Sequence, residues 1–309
     1  MVSNINKNKL SVEASLKSAD TEEYIDLVFY RPVGYRWALL FNKMSISPNQ
    51  VTIFSIFLGV AAGVMFYFND LWYNILGMCL LIWANMYDSA DGQLARLTGQ
   101  KSELGRILDG VSGDFWFISI YAAICLRLTP DYSWYIWGLA ALTGFFHSKQ
   151  AAMADYYRNI HLFFLKGKAG SELDNSKQQR ALYRSTPWKG NRVKRVFLWF
   201  YGNYTESQER FSPCFQQFFI TLKEKYGENI PENLRQEFRE ASLPLMKYTN
   251  ILSFNTRVIA LFISLFIGMP WVYFVFELTV LNSLLVYMVV RHESLSCRLY
   301  KKILANEYE

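Results

Sequence analysis

Charge is what this chain has least of. Only 19% of its 309 residues are Asp, Glu, Lys or Arg, against roughly 25% in a soluble globular chain, so much of it is built to face something other than water. Cysteine is scarce as well: four in a chain this long exclude a disulfide-stapled secreted fold. None of the four, Cys79, Cys125, Cys214 and Cys297, needs a partner. The first 25 residues hold no apolar run, so no cleavable signal peptide is expected. Internal repeats and low-complexity tracts are missing too. What the chain does have is 52% hydrophobic and 17% aromatic residues, which excludes disorder. A mean hydropathy of only +0.06 requires apolar spans to alternate with substantial polar segments.

Six stretches with few or no charges satisfy that alternation: 50–68, 72–87, 115–126, 132–148, 258–267 and 271–290. They predict membrane-spanning helices, several extended by flanking polar residues to reach the roughly 20 residues a span needs. Placing the N-terminus in the cytosol leaves only Arg127, of 32 Lys and Arg, in an outer loop. Even after discounting the eighteen basic residues between Lys149 and Arg257, thirteen against one put both termini in the cytosol.

The expected organisation is therefore a polar tail at 1–23, an interfacial amphipathic segment at 24–49, and spans one to four within 50–148. A helical cytosolic insertion follows at 149–257, spans five and six at 258–291, and a cytosolic tail at 292–309. The fold class is all-α, a polytopic six-helix membrane bundle. Within the insertion a basic run, Lys189 to Arg195, precedes Val196-Phe197-Leu198-Trp199-Phe200-Tyr201. Aromatic residues beside tethered basic ones suit an anionic membrane surface and argue against nucleic acid as a partner.

The residues that promise chemistry stand where span two ends and span three begins. Asp88, Asp91, Asp109 and Asp114 cluster at two helix ends, among Gly92, Gly105, Gly110 and Gly113. Asp88 and Asp91, three apart, face the same way on one helix. Carboxylates crowded at a bilayer surface repel one another unless divalent cations sit between them. An all-oxygen set suits Mg²⁺ or Mn²⁺, and no Cys/His constellation competes.

The pattern of Asp88, Asp91, Gly92, Ala95, Arg96, Gly105 and Asp109 resembles the signature D-x2-D-G-x2-A-R-x8-G-x3-D-x3-D of the CDP-alcohol phosphotransferases, integral membrane enzymes. Ser47-Pro48-Asn49-Gln50-Val51-Thr52 is similar to the start of that family's first span. The likeness is strong over about residues 40–150 and architectural over 250–292; the insertion has no counterpart in it. It implies transfer of a phosphate-linked group from a CDP-activated alcohol to a second alcohol, with release of CMP, at a cytosolic site holding two metal ions. By position Asp88, Asp91 and Asp109 are metal ligands, and Asp114, the acid next to the fourth signature position, is expected to be a further ligand. Asp114 is also the catalytic base, and Gly92, Ala95, Arg96, Gly105 and Asn49 border the nucleotide. The resemblance further implies a phospholipid or sphingophospholipid product, lipid and polyol partners (an inositol-type acceptor among them) and a homodimer, in a cell (inner) membrane or an endomembrane.

One position departs from the signature. The fourth acid should stand four residues after Asp109, where this chain has Gly113. Asp114 is one residue later, about 140° round a regular helix from Asp109 instead of about 40°. A one-residue π-bulge at Gly110 or Gly113 would return Asp114 to register; without it the site keeps three acids, and an impaired relative of the family becomes the rival reading. A transporter is the other rival, but its acids would lie near the bilayer midplane. His147, Lys149, Arg158 and Arg257 are candidates for an acceptor pocket or for plain snorkelling. Asn85 is a further candidate nucleotide contact, and Glu277 is expected to be buried and hydrogen-bonded.

Overall fold

The computed structural model describes residues 18–100 and 102–308, and every regular element among them is helical. A π-helical turn, Asp26–Tyr30, leads into α1 (Arg31–Lys43). Then follow α2 (Pro48–Met65), α3 (Leu71–Thr98), α4 (Glu103–Tyr132) and α5 (Tyr135–Lys166). Shorter helices come next: α6 (Ser176–Ser185), α7 (Arg192–Arg210), α8 (Pro213–Tyr226), α9 (Glu232–Ile251), α10 (Phe254–Phe266) and α11 (Trp271–Phe276). A second π-helical turn, Glu277–Leu281, runs into α12 (Asn282–Leu304).

Four stretches are long and apolar enough to cross a membrane: Pro48–Met65, Gly105–Tyr132, Glu232–Phe266 and Trp271–Leu304. They overlap the expected spans one, three, five and six. The expected second span lies within α3 and most of the expected fourth within α5, but those helices also carry the polar residues Asn74, Asn85, Asp88, His147 and Lys149 and are not among the four.

The described residues fall into two compact units, the first within Met1–Gly144 and Val258–Phe276, the second within Phe145–Arg257 and Glu277–Glu309. In the first unit, α2 packs against α3 and α4, and α1 against α3. Helix α2 starts sharply because Ser47 caps it in a capping box with Gln50 and Pro48 stands in its first turn. Small residues let α2 and α4 meet closely. A methyl group at Gly59 would lie 2.1 Å from Trp116 Cδ1, and one at Gly63 2.8 Å from the Ile120 nitrogen, the packing that replaces a hydrophobic driving force where helices meet in lipid. Trp116 Nε1 donates to the Ser55 carbonyl at 3.1 Å across this contact. The core under α1 is Ala38, Phe41, Val51, Ala90, Leu94 and Leu97. Tyr24, Val28, Phe29, Leu40 and Met44 stay exposed together with Arg36 and Lys43, so the side of α1 and its leading turn away from this core mixes apolar and basic side chains.

In the second unit the core is aromatic. Phe164 stacks on Phe238 at 3.9 Å, Tyr157 on His292 at 3.9 Å, and Phe215 and Phe218 are fully buried. Losing one such ring would cost about 3–5 kcal/mol. Contrary to the expectation that no cysteine needs a partner, Cys214 of α8 and Cys297 of α12 form a disulfide, with Cα atoms 5.2 Å apart. Helices α8 and α12 pack on each other, and that packing, invisible in a separation of 83 residues, brings the two thiols together. Cys79 and Cys125 are free.

Candidate active site

Asp88 and Asp91 sit near the end of α3 and Asp109 in the second turn of α4. The two helices are punctuated by Gly99, which closes α3 in the left-handed region at φ 71°, and by Ser102, whose hydroxyl caps α4 by accepting from Gly105 N at 2.9 Å. One carboxylate oxygen from each of the three acids lies within 4.8 Å of the other two. Asp91 is buried, Asp88 half-buried and Asp109 exposed, so the cluster opens on the Asp109 side.

Neighbouring hydroxyls hold the carboxylates in place. Thr52 of α2 donates to Asp91 Oδ2. Ser112 Oγ lies 3.0 Å from Asp88 Oδ1 and 2.9 Å from the Asp109 carbonyl, so it bridges the two helices. Three like charges this close, one of them 3% exposed, repel and resist desolvation, whereas a hard divalent cation would satisfy them through oxygen alone. The donor set therefore fits Mg²⁺ or Mn²⁺. It is the single such group of acidic, His or Cys side chains among the described residues.

The residues expected to border a nucleotide are distributed around this cluster. Arg96 Nε and Nη2 are buried and have no hydrogen-bond partner, which is unusual for a guanidinium. Its Nη1 would lie 3.4 Å from a methyl group placed on Gly92, and it feels the charges of Asp109, Asp91 and Arg31. Ala95 is half-buried on the same helix. Arg31 at the start of α1 is clamped by Glu22 at 2.9–3.1 Å. Asn49 and Gly105 act on each other: Ser102 Oγ donates to Asn49 Oδ1 at 3.1 Å, and a methyl group on Gly105 would stand 2.6 Å from that oxygen. Together they pin the start of α2 to the start of α4. Asn85 instead hydrogen-bonds Tyr30, where burial pushes the tyrosine hydroxyl above its ordinary value.

Asp114 does not join the cluster. Helix α4 is α-helical without interruption from Glu103 to Tyr132, so the expected π-bulge at Gly110 or Gly113 is not formed, and Asp114 is exposed. Glycine permits such a bulge but does not drive one. Ser112, bonded both to its own helix and to Asp88, occupies the ground the bulge would have rearranged. Ser112 and Thr52 are site residues that the sequence reasoning missed. Their only signal was position, Ser112 three residues after Asp109 and Thr52 one turn into α2.

The other candidates lie in the second unit, where Arg257, His147 and Glu277 bind one another. Arg257, 1% exposed, donates to Glu277 Oε1 at 2.9 Å and to Gln150 Oε1 at 2.8 Å. His147 Nδ1 lies 3.3 Å from Glu277 Oε2, and Gln150 Nε2 donates to the Glu277 carbonyl at 3.1 Å. Glu277 is fully buried and hydrogen-bonded, as expected. Arg158 bonds Ser253 at 2.8 Å and Lys149 bonds Ser207 at 2.8 Å.

Comparison with known proteins meets the residues of the aspartate cluster through a family model. Residues 45–160 match the family model described as CDP-alcohol phosphatidyltransferase. A 98-residue stretch is 31% identical to a protein of Aquifex aeolicus (strain VF5) named "Bifunctional IPC transferase and DIPP synthase", covering 32% of this chain and 22% of that one. A second Aquifex aeolicus (strain VF5) protein, uncharacterized, is 37% identical over 75 residues, 24% of this chain and 37% of its own length. The chain thus spans about a fifth and a little over a third of these two relatives.

Proposed function

Because residues 45–160 carry a domain of the CDP-alcohol phosphatidyltransferase family, we propose that this chain is a membrane enzyme that transfers a phosphate-linked group from a CDP-activated alcohol to a second alcohol, releasing CMP. The observation that carries the proposal is the convergence of Asp88, Asp91 and Asp109 within 4.8 Å at the junction of α3 and α4. A relative named as a transferase and synthase supports the same class of chemistry.

In this proposal Asp88, Asp91 and Asp109 hold Mg²⁺ or Mn²⁺, one ion or two. The bound ion would neutralise charge on the diphosphate and on departing CMP. Arg96 contributes the remaining positive charge, its unpaired guanidinium donors meeting phosphate oxygens. Gly92, with no side chain, lets the helix backbone come close to the nucleotide. Thr52 and Ser112 keep the carboxylates oriented and supply no charge of their own.

The attacking hydroxyl must lose a proton, and Asp109, the exposed member of the cluster, presents the carboxylate best placed to take it. Asp114 is the second candidate. Asp114→Asn is expected to retain activity within about tenfold of wild type, and a loss of 100-fold would return the base role to Asp114. An impaired enzyme is the alternative reading, favoured by the one observation that Asp114 stands outside the cluster.

The proposal extends to architecture: six spans, both termini and the site on the cytosolic side, and a homodimer. The acceptor is proposed to be a polyol of the inositol type, with the lipid carried by the donor. The test is CMP release from the detergent-solubilised protein with Mg²⁺ or Mn²⁺, across a panel of CDP-alcohols and of polyol and lipid-alcohol acceptors. Metal-dependent release with one pair, lost in Asp109→Ala, is the expected result. Silence across the panel from folded protein that binds neither ion would overturn it.

A further inference from the structure

Helix α7 is amphipathic in two directions. Its buried stripe is Leu198, Gly202, Thr205 and Gln208, anchored by Gln208 Nε2 donating to the Ala152 carbonyl at 2.8 Å and by Tyr204 donating to Asp155 at 3.2 Å. On the opposite side Val193, Val196, Trp199 and Phe200 are 69%, 47%, 45% and 61% exposed. At 100° per residue these four fall within an arc of about 120°. A soluble surface does not leave such a stripe open without a partner. Nor is the stripe part of a membrane span, since α7, although 19 residues long, is not among the helices apolar enough to cross.

Charge identifies the occupant. Between Asp174 and Glu206 there is no acidic residue, and seven basic ones occur: Lys177, Arg180, Arg184, Lys189, Arg192, Lys194 and Arg195. Lys189 and Arg192 are exposed at the N-terminal end of the stripe, beside Trp188, which is 54% exposed. The guanidinium of Arg195 lies 4.5 Å from the Tyr183 ring and 4.6 Å from the Trp188 ring, which fixes the connection between α6 and α7. The acids nearest in sequence are already engaged, Asp174 by Tyr201 and Glu206 by Arg180 and Arg210.

We propose that the stripe Val193–Val196–Trp199–Phe200, with Lys189 and Arg192 at its head, docks on an anionic lipid surface. The helix lies in the interface with its apolar arc among the upper acyl chains and its cations among the head groups. An apolar face alone would suit another protein equally well. An apolar face with indole rings and an unbroken run of positive charge, in a chain that already carries apolar membrane helices, fits the head-group region of a bilayer. The inference does not depend on the transfer chemistry, because it rests on α7 alone.

The test uses the full chain in lipid nanodiscs. A fluorophore is attached at Val196→Cys or Phe200→Cys in a Cys79→Ser background, and quenching by bromine-labelled acyl chains is compared with quenching by aqueous iodide. In discs containing phosphatidylglycerol both labels should be quenched by the bromolipid and shielded from iodide, while a label at Glu224→Cys on the exposed side of α8 should behave oppositely. The double variant Lys189→Gln/Arg192→Gln should lower the ratio of docked to undocked helix by about fivefold per cation, roughly 25-fold in all. High salt should act in the same direction. Unchanged melting would show that the double variant is folded. Equal iodide access in phosphatidylglycerol and pure phosphatidylcholine discs would overturn the proposal. So would shielding that ignores lipid charge and salt and instead follows cross-linking between two copies of the chain.

Discussion

Two clusters of ionisable side chains in this protein deal with the same electrostatic problem differently. In the second unit, Glu277 is fully buried but Arg257 lies against it at 2.9 Å, His147 meets its other carboxylate oxygen, and Gln150 and the Leu252 carbonyl take up further Arg257 donors. The negative charge is answered by the chain itself. In the first unit, Asp88, Asp91 and Asp109 gather three negative charges within 4.8 Å, and the hydroxyls on Asp88 and Asp91 come from the neutral residues Ser112 and Thr52. The comparison teaches that burial of charge alone does not mark a functional site. A cluster that neutralises itself holds helices together, and a cluster that gathers one sign of charge is built to receive something of the other.

The sharpest break of this comparison is Glu277→Ala, which would leave Arg257 buried without its counter-ion. The expected loss is about 3–5 kcal/mol of stability in detergent, measured by thermal or denaturant unfolding. Arg257→Met/Glu277→Met should recover most of it, because a buried pair replaced as a whole by apolar side chains is close to neutral. If the single and double variants are equally unstable, the pair is not what matters there.

Next in size, Asp91→Asn should leave unfolding nearly unchanged, or raise stability by relieving repulsion, while CMP release falls by about 100-fold or more. A destabilisation as large as that of Glu277→Ala would place Asp91 with the self-neutralised cluster instead. Third, Mg²⁺ or Mn²⁺ at 100 times its dissociation constant should stabilise the wild type by about 2.7 kcal/mol. That gain should vanish in Asp109→Ala and with a chelator, and persist in Arg257→Met/Glu277→Met.

The smallest effect is expected at Glu206 on α7, which hydrogen bonds from Arg180 and Arg210 hold below the usual carboxylate range. A carboxyl depressed in the folded state contributes stability above its unfolded value and loses it as pH falls through the folded one. Glu206→Gln should therefore flatten a slight acid-side decline in melting temperature below about pH 4.5. An unaltered decline would mean that the two arginines do no more at Glu206 than at any solvated acid.

Sequence reasoning reached Asp88, Asp91 and Asp109 because both of its tools act locally. Residues three apart share a helix face, and the fixed intervals through Gly92, Ala95, Arg96 and Gly105 span one helix end and the next beginning. It did not reach Thr52 and Ser112, because a hydroxyl becomes a carboxylate's partner only through the packing of α2, α3 and α4. The bulge proposed for Asp114 failed for a related reason: glycine shows where a helix can deform, and neighbouring contacts decide whether it does. Glu277 was legible as buried, yet Arg257 and His147 as its neighbours were not, since 20 and 130 residues of chain separate them from it. Cys214 and Cys297 escaped in the same way. Helicity throughout was legible in the long apolar runs. The spans expected in α3 and α5 are less clear-cut, because those helices also carry polar residues.

The contact between Gly59 and Trp116 bears on how the gene would respond to mutation. Trp116 lies two turns along α4 from Asp109, and a single added methyl at position 59 would meet its indole at 2.1 Å. The indole is 2% exposed and has little room to turn, so α2 and α4 would be pushed apart, and a shift of α4 would carry Asp109 away from Asp88 and Asp91. A displacement of about 1 Å is enough to cost 100-fold in rate. In a genetic screen a Gly59→Ala allele would therefore be scored with the aspartate alleles, although residue 59 stands about two helical turns beyond Thr52.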